Sequence, residues 1–148
     1  VHNGIIENHL ALKETLSEEG YHFYSETDTE VIPNLIDREY KLSGDPLKAI
    51  ENTMDLLEGS FAIVCFFTRR PLDLFVAKKG SPLVLGATQT SHYYVSSDKN
   101  SLPKDTLLYA DLPEGYAVKV SAGEQVKDVV FQPFEHTDNN YRFQIYRV

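Results

Sequence analysis

The sequence predicts an α+β domain, and three observations predict it. Apolar residues recur at helical spacing in three stretches before Gly59. From Phe61 onward the pattern changes to short apolar runs. Those runs are separated by turn-forming clusters such as Arg69-Arg70-Pro71 and Pro113-Glu114-Gly115. Helices gathered at one end of a chain and strands at the other mark α+β organisation rather than alternating α/β units.

The elements follow in order. Val1-His2-Asn3-Gly4 leads through Ile5-Ile6 into a helix expected over about residues 7–19, where Leu10, Leu12 and Leu16 form an imperfect apolar stripe and Gly20 is a natural stop. Residues 21–24 read as a short strand. Thr27-Asp28-Thr29-Glu30 has the Thr-x-x-Glu form of a capping box, which heads a second helix carrying Val31, Leu35, Ile36 and Tyr40 inward. Pro33 near its first turns bends that helix or delays its start. In Gly44-Asp45-Pro46, Asp45 suits the cap and Pro46 the first helical position. Leu47, Ile50, Met54 and Leu57 then recur until Gly59 closes the third helix.

Residues 61–68, 72–77, 83–86 and 93–96 read as strands, followed by 106–110, 116–120 and 126–131. Residues 137–148 are polar with scattered aromatics and have no predicted element.

Composition narrows the function. The 148 residues carry a formal charge of −8, which argues against nucleic-acid binding through phosphate contacts. The longest apolar run, residues 61–67, suits a buried strand and falls far short of the ~20 residues of a membrane helix. The start has neither the basic nor the apolar region of a signal peptide. The single cysteine, Cys65, excludes an internal disulfide and fits a reducing, cytoplasmic compartment. Because the chain opens on Val1 without methionine, it reads as a fragment or processed product.

Few residues suggest chemistry. His2, His9, His22, His92 and His136 are scattered, so no metal site is expected, and no motif calls for a cofactor. Cys65 lies among Phe61, Ala62, Ile63, Val64, Phe66 and Phe67, which predicts a buried, inert thiol. Two polar groups stand apart. In His2-Asn3-Gly4, the Asn amide and the glycine N–H are two donors fit for an oxyanion hole; a strand end with an Asn-Gly turn fits the same letters. In Ser25-Glu26-Thr27-Asp28-Thr29-Glu30, the acids either favour a helix start or hold a carboxylate ready for an ammonium group.

Val1-His2-Asn3-Gly4-Ile5-Ile6-Glu7-Asn8, Ser25-Glu26-Thr27-Asp28-Thr29-Glu30-Val31-Ile32, Gly80-Ser81-Pro82-Leu83-Val84-Leu85-Gly86 and Ser96-Ser97-Asp98 together resemble the glutaminase domain of the glucosamine-6-phosphate synthases, the isomerising glutamine–fructose-6-phosphate aminotransferases. Phosphoribosylpyrophosphate amidotransferases share shorter versions of the first two. The resemblance covers residues 1–98 and fades over 99–148, so 1–148 is expected to be a partial glutamine amidotransferase domain.

The resemblance implies an N-terminal-nucleophile hydrolase, an αββα sandwich incomplete here at its N-terminus. It implies that Asn3 and Gly4 form the oxyanion hole and that Asp28 binds the α-ammonium of glutamine. The family's N-terminal cysteine and its Arg-Trp loop are expected upstream of Val1, and the chain alone is expected to be inactive. Sugar-isomerase domains of the intact enzyme and a homodimer are the implied partners, with the ammonia passing to fructose 6-phosphate. Two other readings keep the domain and change the use: a non-catalytic amino-acid-binding or assembly module, or the glutaminase of another amidotransferase. Truncation of this kind is expected to expose sheet edges and apolar core. Either a second copy or the tail bearing Tyr141, Phe143, Ile145 and Val148 would then cover them.

Overall fold

The computed structural model describes residues 1–90, 92–125, 129–134 and 144–147. It opens with a strand, His2–Ile6 (β1), so Asn3-Gly4 lies inside a strand and not in a turn. Helix α1 spans His9–Glu18, and Gly20 ends it with a φ of +94°. Of the predicted stripe, Leu16 is fully buried and Leu12 packs at the margin of the core, whereas Leu10 is exposed.

The strand expected at residues 21–24 does not form. Its N–H groups are spent elsewhere: Tyr21 donates to the Leu16 carbonyl at the helix end, and Tyr24 donates to Glu30 Oε1. Nor does the capping box close. Asp28–Glu30 is a 3₁₀ turn without a side-chain cap from Thr27, and Glu30 reaches past Thr27 to the N–H groups of Tyr24 and Ser25. The α-helix proper, α2, runs Val31–Ser43. Pro33 is its third residue, where a missing N–H removes no intrahelical bond.

Helix α3, Pro46–Leu56, starts as predicted: the Asp45 side chain accepts the Leu47 N–H at 2.9 Å and Pro46 follows it. Gly59 does not close this helix; it opens the next strand. Strands β2 (Gly59–Phe67) and β3 (Arg70–Lys79) form a hairpin. They are followed by β4 (Val84–Thr88), β5 (Tyr93–Ser96), β6 (Thr106–Asp111), β7 (Tyr116–Ser121), β8 (Val130–Pro133) and β9 (Tyr146–Arg147). Residues 126–128 of the strand expected at 126–131 lie outside the described residues.

The strands make two antiparallel sheets, one ordered β1-β2-β3-β7-β8 and the other β5-β4-β6-β9. Side chains alternate across the first sheet and so build two cores. Phe61, Ile63, Phe75, Ala77 and Ala117 face the helices and meet Leu16, Val31, Leu35, Ile50 and Leu57. Their neighbours Ala62, Val76, Tyr116, Val118 and Val120 face the second sheet and meet Leu83 and Leu85. Each fully buried large side chain of this kind contributes about 1.5–3 kcal/mol.

Strand β9 pairs with Leu108 and Tyr109 of β6. The described part of the tail therefore extends the second sheet and does not cover β1. Tyr141, Phe143 and Val148 lie outside the described residues.

Candidate functional site

Strand β1 is the edge of its sheet, and hydrogen-bond parity decides what that edge presents. Val1 and Val64 exchange both backbone bonds, at 2.7 and 2.9 Å, and the Glu7 N–H donates to the Glu58 carbonyl at 2.8 Å. The register between these points is unbroken. Odd-numbered residues of β1 therefore bond to β2, and the N–H groups of His2, Gly4 and Ile6 point to the free edge.

The edge donor of Ile6 is taken by Asp28, whose Oδ2 accepts it at 2.8 Å. Gly4 lies two residues back on the same edge, about 7 Å away at the rise of a strand. The structure thus brings Asp28 and the Gly4 N–H to one edge although 24 positions separate them in the sequence. Asn3, exposed, has its side chain on the sheet face opposite buried Ile6, beside that same edge.

Gly4 is required as glycine for two reasons. Its φ is +113°, which other residues rarely adopt, and a Cβ there would fall on the Ser60 carbonyl oxygen and the Phe61 backbone. The absent side chain lets β1 lie flush on β2 and, among the described residues, leaves the edge N–H without a partner.

Asp28 is held ionised. The Ile6 N–H lowers its pKa most; burial opposes this, while the His2 charge, the Thr29 N–H and the His9 charge reinforce it. A carboxylate kept charged at a sheet edge is a natural partner for a cation. Its loop is fixed by Glu30, which binds the N–H groups of Tyr24 and Ser25 and the Ser25 hydroxyl. Lys13 secures the same loop by donating to the Ser25 carbonyl at 2.7 Å.

Sequence reasoning overlooked His2. Its Nδ1 lies 2.9 Å from the Thr29 hydroxyl, and its ring meets Phe61 edge-on. Burial lowers its pKa, with the Asp28 charge opposing. The signal was present in the even spacing of His2, Gly4 and Ile6, once β1 is known to be an edge.

Cys65 was expected buried and is half-buried: it packs on the helical core beside Phe67 and borders a cleft of about 280 Å³ with Pro33, Ile36 and Tyr40, and desolvation pushes its thiol up to about 11. A thiol so raised is almost wholly protonated near neutrality, which suits packing rather than attack. Two clefts of about 440 and 390 Å³ open elsewhere, one beside Tyr40, Lys41 and Arg69, the other beside Leu72, His92 and Tyr93. Neither includes Asn3, Gly4 or Asp28, so the β1 edge is judged on its donors and charge, not on concavity.

Comparison with known proteins gives a consistent picture. A family model described as the glutamine amidotransferase domain matches residues 1–104. The isomerising glutamine–fructose-6-phosphate aminotransferase of Helicobacter pylori (strain J99) is 37 % identical over 150 residues, covering 96 % of this chain and 25 % of that protein. The protein of the same name from Idiomarina loihiensis is 44 % identical over 124 residues, covering 84 % of this chain and 20 % of its own length. The chain thus spans a quarter or less of these relatives. Among solved structures, a glutamine phosphoribosylpyrophosphate amidotransferase from B. subtilis superposes with a TM-score of 0.74 at 24 % identity, covering 93 % of this chain and 29 % of that one. That likeness shows the fold: the αββα sandwich of N-terminal-nucleophile hydrolases. The described helices and two sheets supply three of its layers. On the far side of the second sheet Leu102 covers Gly86.

Proposed function

This chain belongs to the glutamine amidotransferase domain family, and on that premise we propose that its β1 edge binds glutamine and stabilises the transition state of amide hydrolysis. One observation carries the reading: the Asp28 carboxylate is fixed at the strand edge two residues from the outward Gly4 N–H. Glutamine is a short amphoteric molecule, and these two groups match its two ends. Asp28 takes the α-ammonium. The side-chain carbonyl then falls toward the Gly4 N–H, with the Asn3 amide as second donor.

Attack on that carbonyl by a thiolate puts negative charge on the oxygen. Two fixed donors stabilise it as it forms, each worth about 3 kcal/mol of barrier. Collapse of the intermediate breaks the C–N bond; the nitrogen takes the proton the thiol gave up and leaves as ammonia, and water hydrolyses the remaining thioester to glutamate. Cys65 does not fit the nucleophile's role, because it lies half-buried on the helical side of β2 with its thiol pushed up to about 11. That role falls to a cysteine elsewhere in the intact protein. The relatives' name supports fructose 6-phosphate as the ammonia acceptor; sugar-isomerase domains and a second copy of the chain are proposed as partners on the sequence resemblance alone.

Steady-state glutaminase kinetics on the intact protein test the reading. Asn3→Ala is expected to lower kcat by about 10²–10³, and Asp28→Asn to raise KM for glutamine. An unchanged KM in Asp28→Asn would remove the ammonium role, and an unchanged kcat in Asn3→Ala the oxyanion role.

A further inference from the structure

We infer that His2 is a positioning residue for glutamine, acting through Thr29 to set the distance between the ammonium carboxylate and the oxyanion donors; this rests on the reading of Asn3, Gly4 and Asp28 given above. The 3₁₀ turn that carries Asp28 touches β1 through two polar ties. One is the Asp28–Ile6 bond at 2.8 Å; the other is the His2 Nδ1–Thr29 Oγ1 bond at 2.9 Å. Their anchor points on β1 flank Asn3 and Gly4, one on each side.

The Glu30 and Lys13 bonds hold the stretch before the turn, at Tyr24 and Ser25, so on β1 itself a single tie at Ile6 would act as a pivot for the turn. The second tie removes the pivot, so the free oxygen of Asp28 holds its place relative to the Gly4 N–H. His2 is suited to this task by its own constraints. Its ring is fixed against Phe61, which is fully buried, and its Nε2 is buried without a hydrogen-bond partner among the described residues. The ring's polar orientation is thus governed by the Thr29 hydroxyl. Leaving Nε2 unpaired has a desolvation cost that a plain apolar residue would avoid, which argues that the Nδ1 bond serves a purpose beyond filling space.

His2 touches neither end of the substrate in this arrangement. Its effect should therefore appear in the geometry-sensitive parameter, the KM for glutamine, and should vanish when the bond is already gone. The test is a double-mutant cycle in the intact protein with His2→Leu and Thr29→Val, with Thr29→Ser as the variant that keeps the hydroxyl. Each single loss is expected to raise the glutamine KM by roughly two- to fivefold, as befits one hydrogen bond near the surface. The double variant is expected to match the singles, and Thr29→Ser to behave as the parent. Additive effects, or a Thr29→Val protein with parental KM and only a lower melting temperature, would overturn the inference. Asp28→Asn separates the two levels: if it leaves KM unchanged, the ammonium reading itself has failed, whereas a raised KM with an additive cycle sinks only the role of His2.

Discussion

At His2 the packing that fixes the ring also opposes its protonation. Burial holds its folded pKa below the ordinary 6.5. In the unfolded chain the imidazole gains its proton near that ordinary value, so below it the unfolded state binds more protons. Stability contributed by the neutral ring is therefore present above 6.5 and lost as pH falls toward the folded value. Melting temperatures of the 148-residue polypeptide are expected to decline over that window, and the decline is expected to be shallower in His2→Asn. Asp28 has the lowered pKa of a stabilised carboxylate, so its contribution persists through this window and is lost only in stronger acid, below 3.8. Gly4→Ala is a harsher change, since a methyl group there meets strand backbone at a φ of +113°. A loss of about 2 kcal/mol or more in urea unfolding is expected. At this scale the residue types marked out Asn3-Gly4 and the acids around Asp28 with bland readings still open, and the family resemblance chose between them. Their meeting rests on the Ile6 N–H and the edge position of β1, which no local pattern encodes. The Ser25–Glu30 clasp was masked because the same letters spell a capping box.

The start of α3 was the most legible feature, because its cap is a local contact between residues two apart; the capping box read before α2 did not form. Asp45 and Pro46 show this: the carboxylate binds the Leu47 N–H, and proline takes the position that needs no donor. Asp45→Ala is expected to cost about 1 kcal/mol, read from the shift of the urea midpoint at unchanged slope. The strands from Phe61 onward were legible as apolar runs, with ends displaced by one or two residues at β2 and β3. Where the sequence misled, a distant group had intervened. Residues 21–24 alternate like a strand, yet Glu30 takes the Tyr24 N–H and the end of α1 takes that of Tyr21. Strand β1 was hidden for the converse reason: its five residues hold only two apolar side chains, and it exists because β2 offers a ladder.

Across the whole molecule, one face of the five-stranded sheet is covered by helices, and the other only partly by the second sheet. Val1 and Ile5 of the β1 end and Leu72 of β3 lie on that second face and are exposed, whereas Phe66, at the bulge in β2, is exposed beside α2. Sedimentation of the 148-residue polypeptide is expected to show self-association weakened by Ile5→Ser together with Leu72→Ser; a monomer at all concentrations would contradict this. The same polypeptide is expected to release no ammonia from glutamine, with or without Cys65→Ser. The division into two cores has a further consequence, for synthesis on the ribosome. The helix-facing core draws almost all its buried residues from Ile6 to Ala77, with Ala117 as the late addition, whereas the inter-sheet core runs from Ala62 to Val129. A chain emerging N-terminus first therefore completes most of one core while the partners of the other are still being translated. For that interval the side chains of Ala62 and Val76 face water. The nascent domain is most open to chaperones on the sheet face opposite its helices, and synonymous changes that slow translation between Ala77 and Val129 would lengthen that exposure without altering a single contact of the finished fold.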